Sequence, residues 1–506
     1  MDQLSNIQEE AVFSKDGLSD NAMLYKMRQK FGLFGGISVV FGGAFTLLFY
    51  RAGLGINLFI FVSLILVLMV VIMKSLDIKI KKTTYGYYVA VGLLSLSTAF
   101  TASETLHFLN IIGILLLLDL SLLQQFYEVH NWDFMKHVGR MILLFFQSIA
   151  CIGMPFVDAV SHGKKTKLFH NNKAINIIIG IVLAIPVLFI VTALLSSADL
   201  LFGELTNSIF DMIFSSDIIG IVIMCFVGII ACYSILCGAL LQVGVTEQEK
   251  HRKKADTSIA ITFITSLSIV YVIFCSIQIM YLFVNGIMIL PEQFTFAEYA
   301  RRGFFELLAV TLINLVVIFF CSYLFKDSKP LRYLLSGVTI CTYIMIASAA
   351  YRMIMYISAY QLTFLRLFVL LFLVIDAFVL GGLIYYVFHQ EFPLFGYIVA
   401  VVTICYVIFS FSKPDYWIAS YFINQNEMLN AEDCSYLTNE LSLDAAPIVI
   451  PVLNNRDRFL ETDRVTKLDY LDYEQNRYVK KIEEVSKVRD IREYNFSISI
   501  ARNKLN

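Results

Sequence analysis

The stretch Gly55-Ile-Asn-Leu-Phe-Ile-Phe-Val-Ser-Leu-Ile-Leu-Val-Leu-Met-Val-Val-Ile-Met73 decides the fold. It carries no Asp, Glu, Lys or Arg, and Lys74, Lys79, Lys81 and Lys82 follow it. An apolar run of about twenty residues is what a helix needs to cross about 30 Å of hydrocarbon. Runs of the same kind recur along the chain: Phe31–Tyr50, Gly86–Ser103, Leu106–Gln124, Ala174–Leu195, Ile218–Gln242, Ser258–Val284, Gly303–Phe325, Tyr333–Ala350, Thr363–Tyr386 and Leu394–Phe411. Together they predict an all-α integral membrane protein with about eleven transmembrane helices. Composition agrees, since 58% of the 506 residues are hydrophobic and only 16% are charged, against about one quarter charged in soluble domains. A net charge of −1 leaves no sustained basic face for nucleic acid.

Three regions follow. Residues 1–30 are polar, mixed in charge and read as a cytoplasmic segment without a cleavable leader. Residues 31–411 are the polytopic body. Residues 412–506 turn abruptly polar and read as a small helical module, in which Trp417, Ile418, Tyr421 and Phe422 share one helical face and Val479, Ile482, Val485 and Val488 share another.

Lysine and arginine orient the spans, because short cytoplasmic loops are enriched in them. With the N-terminus inside, the inner segments hold Lys26, Arg28 and Lys30, then Lys74 to Lys82, then Lys136, Arg140, Lys164, Lys165, Lys167 and Lys173, then Lys250 to Lys254, then Lys326, Lys329 and Arg332. A twelfth apolar run, Met141–Val157, is interrupted by Gln147 and Pro155. Were it to cross, the downstream pattern would invert, so residues 131–160 read as interfacial or re-entrant, with Trp132 at the water boundary. The tail then lies outside the cell. Cys434, its one cysteine, offers a labelling site for that side. The other eight cysteines lie in apolar stretches without ligand spacing, so no metal or cofactor is predicted.

Ionisable residues inside spans are expensive and need a partner or water. Asp376, deep in the tenth span, is the sharpest; Arg366, one turn inside the same helix, can snorkel, as can Asp119 near the inner end of the fourth. Glu298, Arg302 and Glu306 are spaced by four at the entrance to the eighth span with Arg301 beside them, and with Arg352 and Arg366 they form an outer-face polar cluster. No P-loop, HExxH or nucleophile-elbow motif occurs.

The stretch Thr295-Phe-Ala-Glu-Tyr-Ala-Arg-Arg-Gly-Phe-Phe-Glu-Leu-Leu308 with Asn314 resembles the bacterial membrane proteins catalogued as domain of unknown function 4173, with its sister group 4153. Leu194-Leu-Ser-Ser-Ala-Asp199, the segment Tyr351–Arg366, Lys413-Pro-Asp-Tyr-Trp-Ile-Ala419, Leu441-Ser-Leu-Asp-Ala-Ala-Pro447 and Tyr494–Arg502 agree. The similarity runs from about Ala174 to the C-terminus; Gln361 stands where the family usually has glycine, and the Arg-Asn pair that normally follows Ala419 is missing. The resemblance implies a bacterial cytoplasmic membrane and marks Asp199, Arg302, Arg352, Arg366 and Asp444 for testing. The leading expectation is a non-enzymatic, envelope-related or regulatory protein, with the lipid bilayer and another membrane protein, met through residues 412–506, as partners. The alternative is a proton-coupled secondary transporter of an anionic solute using Asp376 and the outer-face arginines. A membrane enzyme acting on a lipid-linked substrate, with Glu298 or Glu306 as base, ranks third.

Overall fold

The computed structural model describes residues 22–129, 132–165, 180, 184, 188, 191–214, 217–241, 255–280, 304–455, 458–459, 464–487 and 490–505. Among them there is no strand, only isolated bridges at Ala255–Phe325 and Leu429–Phe459. Ten helices among the described residues are long and apolar enough to span a bilayer, so the chain is a multi-span all-α membrane protein. Nine coincide with expected runs. Gly86–Ser103 forms a helix, Lys82–Phe100, but is not among the ten. Ala174–Leu195 lies largely outside the described residues. The tenth is Phe134–Gly163, around the segment expected to be interfacial or re-entrant.

The chain divides into two compact units, the first comprising residues 1–100, 107–248 and 489–495, the second 101–106, 249–488 and 496–506. In the first, α1 (Ala22–Gln29), α2 (Phe31–Phe49), α3 (Ile56–Ser75), α4 (Lys82–Phe100), α5 (Glu104–Phe126), α6 (Phe134–Ala150), α7 (Met154–Lys165), α8 (Leu200–Phe214) and α9 (Asp217–Leu240) follow one another. Helices α2 and α9 are antiparallel. Phe31 packs on Tyr233, and at the far end Arg51 pairs with Asp217 at 2.7 Å. Between them a Cβ added to Gly42 would sit 2.6 Å from the Cys225 carbonyl, so only glycine lets the two backbones meet there. This is how membrane helices associate when lipid offers no hydrophobic drive. Large side chains such as Leu47 and Ile218 accordingly face outward, exposed by 70% and 74%, while Ser38, Thr46, Asn57 and Ser97 are buried.

Segment α6–α7 is broken by a 3-10 turn at Cys151–Gly153, after which Pro155 falls in the first turn of α7, where its missing N–H costs nothing. Both ends of the segment return to the same end of α9. Trp132 packs at a tilt on Tyr127, whose hydroxyl donates to the Ala239 carbonyl, and His162 packs on Phe31 beside Tyr233. Between these ends, Ser234 donates to the Cys151 carbonyl, and Tyr233 donates to Asp158, which also pairs with Arg28 at 3.5 Å.

The second unit contains α10 (Thr257–Ile279), α11 (Phe304–Leu324), α12 (Lys329–Tyr360), α13 (Phe364–Phe388) and α14 (Leu394–Phe411), then the tail helices α15 (Pro414–Gln425), α16 (Ala431–Ser435), α17 (Ala446–Leu453), α18 (Arg464–Lys487) and α19 (Phe496–Asn503). The tail has a core of its own. Ile418, Phe422, Leu437, Val449, Tyr478, Ile482 and Ile498 are buried, whereas Trp417, expected on the same face as Ile418, is exposed.

Helix α12 runs well beyond the apolar run Tyr333–Ala350. Ser328 caps its N-terminus by accepting from Leu331 N–H, and its 32 residues span about 48 Å at 1.5 Å each. It stops at Gln361, whose φ of 71° and ψ of 165° fall in a region that is essentially glycine-only. The Arg366 guanidinium caps the exposed Tyr360 and Gln361 carbonyls and lies 4.2 Å from the Tyr356 ring centroid, as cations at helix C-termini do. Relieving the strain with Gln361→Gly should stabilise the protein by about 1 kcal/mol, read as a rise in melting temperature in detergent. A fall for Gln361→Gly, or an equal rise for Gln361→Ala, would contradict the strained turn.

Candidate functional site

The polar side chains of the second unit's span bundle line up on facing stripes of α10, α11, α12 and α13. Tyr271 of α10 donates to the Asn314 side-chain oxygen of α11, and the Asn314 amide donates to Thr342 of α12 at 2.9 Å. Toward the end of α12 reached at Tyr360, Ser348 and Arg352 both donate to Gln278 Oε1, at 2.7 and 3.2 Å. Every one of these groups is buried. In a low-dielectric interior such a chain of bonds fixes one register of the helices.

Asp376 closes the seam from α13. It is 2% exposed, and its neighbour across the interface is Thr311, one turn before Asn314. The Thr311 hydroxyl is shared between Asp376 and the Leu308 carbonyl, 2.9 Å away. Neither carboxylate oxygen has a geometrically complete hydrogen bond, and no cation pairs with it among the described residues. The backbone just beyond it is held from outside. Tyr343 donates to the Ala377 carbonyl at 2.8 Å and Tyr397 to the Phe378 carbonyl at 2.9 Å. Gly381 and Gly382 follow, and a Cβ at Gly382 would clash with the Tyr397 ring.

A second polar centre lies in the tail. The loop Thr101-Ala-Ser103 is gripped by two buried carboxylates. Asp444 accepts from the Thr101 hydroxyl and, at 2.8 Å, from Ala102 N–H. Asp415 accepts from Ser442 N–H at 3.2 Å and from the Ser103 hydroxyl. In the first unit, residues 490–495 bind two further loop ends: Glu493 accepts from Gly53 N–H at 2.7 Å, and Asn495 donates to the Thr98 carbonyl at 3.1 Å.

Among the described residues of the expected outer-face cluster, three make separate contacts. Arg352 belongs to the Gln278 network, Arg366 caps α12, and Asp376 sits apart with Thr311. Glu306 is exposed in the first turn of α11, a favourable place for an anion against the helix dipole. Glu298, Arg301 and Arg302 lie outside the described residues. Asp119 is half-buried on α5. Asp199 is exposed and caps α8 by accepting from Phe202 N–H at 3.0 Å. No group of three His, Cys, Asp or Glu side chains converges as a metal site among the described residues. Sequence reasoning missed the Arg28–Asp158–Tyr233 centre, for which Pro155 and Asp158 in a marginal apolar run were the only signal. It also passed over Asp415, which stood within a quoted motif.

Fold and site define a multi-spanning all-α membrane protein with a folded polar tail. It belongs to the family catalogued as domain of unknown function DUF4153, which matches residues 88–451. The family is thus the sister group of the one expected, and the match starts in α4 rather than near Ala174. Both clasp carboxylates and Asp376 fall inside it. No curated relative and no solved structure matches the chain.

Burial holds the Asp415 carboxyl above the usual carboxylate range, with the Asp444 charge adding to it and hydrogen bonds from Ser442 and Ser103 opposing. The folded state therefore binds a proton that the unfolded chain gives up earlier. Stability should fall as pH rises from about 4 through the raised value, and level off above it. Melting curves across this window should show that slope, and Asp415→Asn should flatten it; an unchanged slope would dissociate Asp415 from the clasp's titration.

Proposed function

We propose that this chain is a proton-coupled transporter of the bacterial cytoplasmic membrane, with Asp376 as the group that takes up and releases the proton. One observation carries the reading: a carboxyl buried in a span with no ion pair among the described residues and at most the shared Thr311 hydroxyl as a donor. A charge there costs about 3 kcal/mol or more, so a carboxyl serving only to fasten helices would be expected to have donors on its oxygens. Its polar neighbours are Tyr343 and Thr311, whose hydroxyl it shares with the Leu308 carbonyl. The tyrosine-held carbonyls and the paired glycines next to Asp376 supply a point where α13 can flex. Of the arginines expected to attract an anionic solute, Arg352 is bonded to Gln278 and Arg366 caps α12. The regulatory-partner reading drew on the tail motifs, and their carboxylates Asp415 and Asp444 are spent on the chain's own loop.

The topology we infer has the N-terminus inside and the tail outside. In the first unit, α1 meets the α3 end that carries Asp77, through Lys26, whereas residues 490–495 bind the opposite ends of α2, α3 and α4. The return of both ends of α6–α7 to one end of α9 supports a re-entrant segment, which keeps the lysines on one side.

Asp376→Asn in proteoliposomes should lower pH-gradient-driven proton flux by about an order of magnitude or more while leaving the melting temperature equal or higher, because an uncompensated buried acid is removed. Unchanged flux with a lowered melting temperature would make Asp376 a structural fastener. For topology, Cys434 is fully buried and cannot report the side of the tail. Ile491, 84% exposed, can: Ile491→Cys should react with an impermeant maleimide in intact cells, and protection until lysis would put the tail inside.

A further inference from the structure

Two cysteines meet in the second unit's span bundle apart from Asp376, with a methionine one helical turn from one of them. Cys275 of α10 lies with its Sγ 3.5 Å from the Cys341 carbonyl of α12, and the two thiols are themselves in hydrogen-bonding contact. Met345 follows Cys341 by one helical turn and so shares its face. Its Sδ lies 3.9 Å from the Asn314 amide, the residue that also takes the hydroxyl of Tyr271, one turn before Cys275. Cys275, Cys341 and Met345 are 4%, 7% and 1% exposed. We propose that they form a binding site for a soft monovalent metal ion, Cu(I) or its analogue Ag(I).

The donor set selects the ion. Thiolate and thioether are soft ligands that favour Cu(I), and no carboxylate or imidazole joins them to suit a harder cation. Charge selects it as well. When M⁺ binds, one cysteine loses its S–H proton to solvent and forms an S–M bond, while the second thiol and the Met345 thioether donate lone pairs without ionising. The complex is then neutral, and a neutral complex avoids the desolvation cost that a net charge would meet inside a span. A divalent ion on the same ligands would remain charged or require a second deprotonation.

The test is titration of the purified full-length protein, without oxygen, with Cu(I) held by a chromophoric chelator. The expected result is about one Cu(I) per chain, with affinity falling by an order of magnitude or more in Cys275→Ser and in Cys341→Ser. Met345→Leu should lose less, while Cys321→Ser, buried elsewhere in α11, and Asp376→Asn should bind as the parent does. X-ray absorption of the loaded parent should show sulfur as the only first-shell scatterer, and it decides the matter if a serine variant fails to fold. Failure of the parent to retain Cu(I), unaltered binding by both serine variants, or nitrogen and oxygen in the first shell would overturn the site. None of these outcomes bears on proton flux through Asp376.

Discussion

A polar group in hydrocarbon must find its partner within the protein, because lipid supplies none. That constraint arranges both units more strongly than apolar packing does. The outward faces of α2, α9 and α10 are as apolar as their surroundings, so burying them against each other gains little. What lies between helices is instead small or polar: Gly42 at the α2–α9 crossing, and the Tyr271–Asn314–Thr342 and Ser348–Gln278–Arg352 networks among α10, α11 and α12. Each hydroxyl or amide with a partner across a helix interface fixes a rotation and a register.

Against that background a group without full satisfaction stands out. Asp376 has the burial of a core residue and the chemistry of a surface one. The strain at Gln361 is of a different kind, since it is offset locally by Arg366 on the two carbonyls that the turn exposes. Asp415 and Asp444 show how the same type of side chain behaves outside the spans. There, backbone N–H groups and hydroxyls of a facing loop surround the carboxylates, and the carboxyls hold loop and tail together.

The tail holds the loop Thr101-Ala-Ser103. Its motifs Lys413-Pro-Asp415 and Ser442-Leu-Asp444 end in the two clasp carboxylates, and Lys413 itself donates to Ser497 of α19 at 2.8 Å. The family match covers the bundle and both clasp motifs. The same match also covers α5 to α9 of the first unit.

The sequence by itself determined the class of fold, because a hydrophobic run of about twenty residues has essentially one way to satisfy its backbone in a bilayer. Nine of the expected spans are visible in this local property alone, as are the burial of Asp376 and the polar tail. The contacts of the described charges were not legible. Arg352, Arg366, Glu306 and Asp376 share an end or a helix in the chain, yet rotation of α11, α12 and α13 about their axes sends them to Gln278, to a helix terminus, to the surface and to Thr311. Contacts such as Asp444 with Thr101, or Cys275 with Cys341, join positions far apart in the chain through helix rotation and packing. Periodicity fixes which residues share a face; only the packed structure decides which faces meet.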